Sequence, residues 1–281
     1  MSEITILYDI IRWEEKSIIQ AAKKKGIILK LQNVRDIVFD INEDYKEEDS
    51  TVILQRCISY YRNHYTTALL ELKGCKVVNT LRANTICGDK LLTSLYLVKN
   101  NIPTPKTSVS FSSDSSLKSL EKIKYPAILK PVIGSWGKLM AILNDSESAY
   151  SIFEDRENMY PIYQVHYIQE KVKRPPRDIR AIVIGDEVIA AIYRTSEESW
   201  RTNMSRGGKA ENCPITKELE DITIQSTKFL DKGIYGVDLM ETDNGLVVHE
   251  INNTTEFKNT VPNTRVDIPS KIIDFLLQIV K

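Results

Sequence analysis

Asp238, Glu250 and Asn252 are oxygen-bearing side chains whose spacing could hold a hard cation. They lie in Gly236-Val-Asp-Leu-Met-Glu-Thr-Asp-Asn-Gly-Leu-Val-Val-His-Glu-Ile-Asn-Asn253, two β-forming runs flanking Asp243-Asn244-Gly245, a strong hairpin signal. Glu250 and Asn252 are two apart and share a strand face. A two-residue turn at Asn244-Gly245 pairs 243 with 246, hence 238 with 251, and turns Asp238 away. A three-residue loop Asp243-Asn244-Gly245, or an equivalent bulge, pairs 238 with 250. All three then converge in a set suited to Mg²⁺ shared with nucleotide phosphates. The same pattern also describes a hairpin with a solvated polar face, so the rest of the chain must decide.

Other segments could bind anions. In Ile128-Leu-Lys-Pro-Val-Ile-Gly-Ser-Trp-Gly-Lys138 a strand carries Lys130, and a Gly-x-x-Gly loop follows with Gly134, Ser135, Trp136, Gly137 and Lys138. Glycines let a backbone close over phosphates and present N–H donors, and the lysines add charge. The loop is not a Walker A motif, and an ordinary β-turn is its other reading. Lys171-Val-Lys-Arg-Pro-Pro-Arg-Asp-Ile-Arg180 packs Lys171, Lys173, Arg174, Arg177 and Arg180 together, and Trp200–Lys209 adds three more cations around a glycine pair. A charge run is usually a solvated face. Here the cations bracket strands and glycines, which also suits an anion site.

The elements that must position these residues are legible in outline. Strands expected at 4–10, 27–32, 52–56 and 76–79 alternate with helices at 14–25 and 60–73, the pattern of a parallel sheet covered on both faces. Residues 1–85 read as one α/β subdomain with a scaffold role. Arg56, at a strand end, is a candidate to face a ligand there. A single helix is expected over 84–99, with Lys90 near its middle, where a lone lysine is ordinarily solvated. Short strands (107–111, 127–131, 140–143, 164–172) and helices (115–124, 146–157) make a central lobe over 86–172. Residues 173–281 form the last lobe, with a hairpin at 179–194, a helix over 216–230, the metal-type hairpin and a helix over 268–280.

With 281 residues, several packed subdomains are expected. Hydrophobic content of 42% and charged content of 27% are those of a water-exposed globular fold. Zero formal net charge gives no reason to expect nucleic acid as partner. No apolar run approaches the ~18 residues that span a bilayer. Cys57, Cys75, Cys87 and Cys213 form no C-x-x-C pair, and with three histidines no zinc-ligand spacing appears. No secretory signal is evident at the start, so a reducing cytoplasm is expected.

Each motif is weak alone, but their order is informative. A lysine before a Gly-rich loop, a Gln-Glu-Lys-Val strand end, an Asp-x-Arg stretch, Arg201-Thr-Asn203 and a final Asp…Glu-x-Asn resemble the ATP-grasp ligases over most of the chain. Pro131–Lys138, Arg201–Asn203 and His249-Glu-Ile-Asn-Asn-Thr-Thr-Glu-Phe-Lys-Asn-Thr260 are most similar to the RimK-like branch and, within it, the LysX family of α-aminoadipate–LysW ligases. The resemblance implies an ATP-grasp fold, α/β and α+β, in which a pre-ATP-grasp subdomain precedes two lobes clasping ATP. It implies that Lys90 and Lys130 contact ATP phosphates beneath a lid of Gly134, Ser135, Trp136, Gly137 and Lys138. Gln169, Glu170, Lys171 and Val172 then read adenine and ribose, and Asp178, Arg180 and Asn203 lie on the nucleotide side. Asp238, Glu250 and Asn252 hold one or two Mg²⁺. Arg194 and Lys130 are the catalytic cations. Arg194, Met204, Ser205, Arg206, Gly207, Gly208, Lys209, Glu256, Phe257, Lys258, Asn259 and Thr260 grip the amino-acid substrate. One departure is Lys138, where relatives are expected to carry Arg. Lysine lacks the planar fork, which puts a bidentate phosphate contact there in doubt.

The implied activity is ATP-dependent ligation of a carboxylate to an amine. The carboxylate is the side chain of the C-terminal glutamate of LysW, a small acidic zinc protein, and the amine is α-aminoadipate. The basic stretches would steer such a partner. The resemblance also implies a homo-oligomer, dimer or tetramer. Relatives that prefer aminoadipate carry an Asn-Thr-like pair after the Glu-Phe-Lys segment, and glutamate-specific ones carry Gly-Phe. This chain has Asn259-Thr260, so aminoadipate is expected, with glutamate, or a RimK-like glutamate transfer, as the alternative.

Overall fold

A computed structural model of the chain describes residues 4–42, 52–134, 137–196 and 208–280. The first sheet is formed by β1 (Ile4–Tyr8), β2 (Leu29–Asn33), β3 (Val52–Gln55) and β4 (Lys76–Val78), with α1 (Trp13–Lys24) and α2 (Tyr60–Leu72) between strands. All pairs are parallel, in the order β2-β1-β3-β4. The chain therefore leaves β1 in one direction and later reaches β3 on its other side. The loops after β1 and β3 flank this reversal, where open α/β sheets hold ligands.

Residues 84–99 are not one helix. α3 (Leu81–Gly88) and α4 (Lys90–Lys99) meet at Asp89. Gly88 lets the Tyr60 ring pack against this junction, because a Cβ there would collide with it. Asp89 then restarts the helix as N-cap, its Oδ1 accepting from Leu91 N (2.8 Å) and Leu92 N (3.1 Å). Lys90 is thus the first residue of a helix, not its middle.

The second sheet contains β5 (Thr107–Ser110), β6 (Ala127–Lys130), β7 (Ala141–Leu143) and β8 (His166–Glu170), in the order β5-β8-β6-β7. It is covered by α5 (Ser113–Ile123) and α6 (Ser146–Glu157), with Leu120, Leu129, Phe153 and Ile168 in its core.

The third sheet runs β11-β10-β9-β12-β13, formed by β9 (Arg177–Ile184), β10 (Glu187–Thr195), β11 (Lys209–Asn212), β12 (Ile234–Thr242) and β13 (Gly245–Asn252). α7 (Lys217–Thr227) lies against it, and α8 (Thr260–Thr264) and α9 (Ile268–Val280) close the chain. Strand β9 shows how this sheet is divided. Ile179, Ala181 and Val183 pack into a core with α3, α4 and α7 residues. On the opposite face Ile182 and Ile184 pack with α1, α9 and the first sheet. Asp178 and Arg180 continue that second face beyond the apolar cover, and this polar end carries the site.

The first sheet is fastened to the segment after β13 by buried polar contacts. Arg56 is buried; its Nε donates to Glu15 Oε1 (2.8 Å), and Nη1 and Nη2 both donate to Thr255 O (3.3 Å). Burial pushes the Glu15 carboxyl up, but Arg56 and Arg12 outweigh this and hold it below its usual range. Arg56 faces this carboxylate and carbonyl and does not line the cavity described below. R56M is expected to lose about 3 kcal/mol, the low end for breaking a buried pair, because Arg12 still neutralises Glu15. Urea denaturation of the purified protein checks this; a loss under about 1 kcal/mol would show that the pair is dispensable.

Candidate active site

The metal-type hairpin pairs Asp238 with Glu250 as expected, through a bulge rather than the three-residue loop. Thr242 pairs with Gly245 across a two-residue turn, Asp243-Asn244, and Thr242 Oγ1 donates to Gly245 O (2.7 Å). Leu239 pairs with Val248, but the next pair is Asp238 with Glu250. His249 is the extra residue of a β-bulge, and it restores the register that a two-residue turn alone would have lost. Asn252 follows opposite Gly236. Gly236 is needed there, because a Cβ would strike Thr255.

Asp238 is buried at the centre of a charge cluster. Arg180 faces it across β9 and donates from Nε and Nη2, both at 2.7 Å. Arg194 Nη2 lies 3.1 Å from Asp238 Oδ2, and Arg194 Nε donates to Asp178 Oδ1 (2.7 Å). Burial would raise the Asp238 carboxyl, but the two guanidiniums hold it well below the usual carboxylate range. Burial opposes the charge of Arg194, yet Asp238 and Asp178 raise its affinity for the proton. Asn252 Nδ2 points at Asp238 Oδ2 (3.5 Å).

Glu250 faces two lysines. Lys90 Nζ is 3.6 Å from Glu250 Oε1 and donates to Gly134 O (2.6 Å), while Lys90 N donates to Val132 O (2.9 Å). The start of α4 therefore anchors the near end of the glycine loop. Gly134 and Gly137 have positive φ, +153° and +64°, as a loop folding tightly back requires. Ser135 and Trp136 lie outside the described residues, and Lys138 is exposed. Lys130 is buried at the end of β6 and donates to Gln169 Oε1 (2.5 Å). The amide of Gln169 also donates to Thr107 Oγ1 (3.0 Å) and Tyr167 Oη (2.9 Å). The side chain of Gln169 thus positions Lys130. Glu170 Oε1 accepts from Lys106 N (2.7 Å), and Lys171 and Val172 begin the connection to β9.

A cavity of about 580 Å³ opens against this face. Of the expected residues, Lys90, Gly134, Arg180, Arg194, Glu250, Asn252, Glu256, Lys258, Asn259 and Thr260 line it. Asp178, Lys130, Asp238, Gly137, Lys138 and the Gln169–Val172 strand end do not: Asp178 supports Arg194 from behind, Lys130 is buried against Gln169, and Asp238 is held by Arg180 and Arg194. Phe257 is corrected to a core residue, with no exposure and a 5.9 Å edge-to-face contact with Trp13. Gly208 and Lys209 lead into β11 and do not line the cavity. Asn203, Met204, Ser205, Arg206 and Gly207 lie outside the described residues. The basic stretch is also not a uniformly solvated patch. Arg177 forks onto Glu241 (2.6 and 2.8 Å) and lies 3.9 Å from the Tyr193 ring centroid, Arg180 holds Asp238, and Arg174 donates to main-chain carbonyls. Lys171 and Lys173 are exposed.

The opposite wall was missed in the sequence. Arg12, Trp13, Cys57 and Ile58 come from the loops and helix start after β1 and β3, and Asn63 and Asn84 from α2 and α3. The strand order of a parallel sheet was the signal that could have found them, since its reversal falls between β1 and β3. Glu14 Oε1 accepts from Phe257 N (3.3 Å) and Lys258 N (3.1 Å), fixing the segment that carries Asn259 and Thr260.

Residues 87–276 match the RimK-like ATP-grasp domain and residues 4–86 the LysX preATP-grasp domain. The chain is 35% identical over 272 residues to an α-aminoadipate–LysW ligase LysX of Saccharolobus solfataricus, covering 96% of this chain and 99% of that protein. It is 31% identical over 276 residues to a glutamate–LysW ligase ArgX of Sulfurisphaera tokodaii, covering 97% of each. A RimK-domain ATP-grasp protein of Sphaerobacter thermophilus superposes with a TM-score of 0.82 at 23% identity, covering 98% and 99% of the two chains. A RimK-like ATP-grasp domain over two thirds of the chain, shared with relatives that are ligases, defines a carboxylate–amine ligase that uses ATP. The chain belongs to the RimK-like ATP-grasp family, with a LysX-type preATP-grasp domain at its start. No helix among the described residues is long and apolar enough to cross a membrane.

Lys130 offers a direct test of how this side of the site buries charge. Burial lowers its ammonium to about 8, against partial opposition from Glu250 and with help from Lys90 and Arg174. The folded value is below the unfolded one, so the protonated lysine opposes folding below about pH 8 and ceases to do so as pH rises toward 10.5. Without nucleotide, wild type should gain about 3 kcal/mol of stability relative to K130M over that interval. Urea midpoints at several pH values measure it, and parallel curves for the two proteins would place Lys130 in a solvated setting instead.

Proposed function

We propose that the protein joins the α-amino group of α-aminoadipate to the side-chain carboxylate of the C-terminal glutamate of a LysW-type carrier. The observation that carries the amino-acid assignment is that Asn259 and Thr260 line the cavity, on the segment continuous with Glu250 and Asn252. A bulky aromatic at 260 would shorten the space, whereas Asn and Thr leave length and hydrogen-bonding capacity. Similarity to the LysX ligases supports this amine, and similarity to the ArgX ligase identifies glutamate as its competitor.

ATP serves as phosphoryl donor. A carboxylate oxygen of the carrier attacks the γ-phosphorus, ADP departs, and the neutral amine then attacks the acyl carbon. Phosphate leaves and the amine gives up a proton. Phosphoryl transfer depends on positioning and charge neutralisation. Lys90 and Lys130 would neutralise the phosphates under the Gly134–Lys138 loop, and the strand end Gln169–Val172 would line the adenosine side. Asp238, Glu250 and Asn252 fit Mg²⁺ as a hard-oxygen set on one face, and the bound ion would supply charge neutralisation at the phosphates. Arg180 and Arg194, now paired with Asp238, would be freed toward the transferring phosphoryl group as cations arrive at that carboxylate. The lid shields the acyl phosphate from water.

The test is purified protein with LysW-type carrier, ATP, Mg²⁺ and either amino acid, read by intact mass and ADP release. The expected result is a carrier heavier by one aminoadipate residue and ADP release that needs carrier and amino acid together. A higher kcat/KM for glutamate reassigns the amine, and no carrier modification with either refutes carrier ligation. Replacing Asn259 with Gly and Thr260 with Phe together should shift the aminoadipate-to-glutamate kcat/KM ratio toward glutamate by about 10–200-fold, the range one methylene commands.

A further inference from the structure

Arg180 and Arg194 pair with Asp238 on the metal-type face of the cavity. Arg12 stands on the facing wall, at the start of α1. It is immobilised from behind: Nε and Nη2 donate to the two carboxylate oxygens of Glu15 (3.2 and 3.1 Å), and its own backbone N–H donates to Glu15 Oε2 (2.9 Å). Glu15 has no exposure and is pinned in turn by Arg56. Arg12 Nη1 remains, and it donates to Glu256 Oε1 (3.1 Å). The side chain of Glu256 is 46% exposed, against 18% for Arg12. A partly buried, braced guanidinium therefore turns Nη1 toward a carboxylate that water can readily solvate. A guanidinium fixed before binding loses little entropy on capturing a carboxylate with its Nη1 group.

We infer that Arg12 anchors the side-chain carboxylate of a dicarboxylic amino acid, and that Glu256 stands in for that carboxylate in the free protein. This rests on the reading that the amine substrate is such an amino acid. The reacting amine and the adjacent α-carboxylate must lie at the phosphoryl-transfer face. The carbon chain then carries the second carboxylate toward the α1 wall, where a braced arginine makes the distance between the two ends fixed. Glu14 holds the backbone of Phe257 and Lys258, so Glu256 sits over Arg12 by the folding of its own loop. Glu256 is thus a competitor for the site, not a group that grips the substrate.

The test compares 2-aminoadipate with 2-aminohexanoate, which lacks the distal carboxylate, on the full chain loaded with ADP and Mg²⁺. Wild type should bind the dicarboxylate at least ~10-fold more tightly, the value of a charge-assisted contact. R12Q should erase that preference and leave ADP affinity unchanged, R12K should restore part of it, and E256Q should tighten 2-aminoadipate several-fold. No preference in wild type, or a loss in R12Q that is equal for both probes, overturns the inference. The binding assay needs no carrier. A wild-type preference without ligation therefore overturns the proposed reaction alone, and ligation by R12Q at the wild-type KM for aminoadipate overturns the anchor alone.

Discussion

Asp238 stays ionised in the protein interior because Arg180 and Arg194 face it from neighbouring strands. A buried carboxylate without them would cost several kcal/mol or take up a proton, and a protonated acid is a poor cation ligand. The requirement propagates outward. Arg194 must itself be neutralised, and Asp178 does so from β9. The result is an alternating row of charge across three strands, on the one end of the sheet that α9 and the first sheet leave uncovered. The apolar end of the same face, Ile182 and Ile184, joins the largest core. Fold and site are therefore two halves of one strand face.

Register is the second constraint, and it is met by a tertiary device. Side chains on a strand change face with each residue, so a slip of one would send Glu250 to the core side. Pairing set by the Asp243-Asn244 turn would place 249, not 250, opposite Asp238. His249 absorbs the difference as a bulge residue. Its imidazole lies near Lys130, Asp238 and Arg194, and burial followed by the Lys130 charge keeps it far below its ordinary range, hence neutral. A neutral ring at the bulge adds no charge to the cluster.

The outline of the strands and helices was legible because alternation, β-branched runs and Gly or Pro breaks are local signals. The convergence of Asp238 with Glu250 was legible too, since period-two geometry leaves few registers. The turn itself was not. The bulge at His249 depends on what packs above and below β13, which no local run of residues encodes. The break between α3 and α4 was not legible because a lone glycine is tolerated within a helical pattern, and Asp89 shows itself as a cap only once the chain has turned there. Arg12 escaped notice for a similar reason. Beside Glu14 and Glu15 it reads as a helix start with its own counter-charges, and its position on the cavity emerges only when two sheets face each other.

The first sheet is consequently more than a support. Three of its polar side chains reach the segment after β13: Arg56 to Thr255 O, Asn63 to Thr254 Oγ1 and Glu14 to the amides of Phe257 and Lys258. Asn79, just past β4, adds a contact to Asn253 O (2.6 Å). Hydrogen bonds to main-chain atoms constrain where the backbone runs whatever side chains it carries. The path past Asn253, Thr255 and Lys258 is then set by main-chain contacts, while Thr254 and Phe257 add side-chain ones, a hydroxyl accepting from Asn63 and a ring buried in the core. The cation-type face, the cavity wall and the Asn259-Thr260 pair are held in one frame, because the segment linking them is tied at nearly every residue to a domain that itself ends in the cavity.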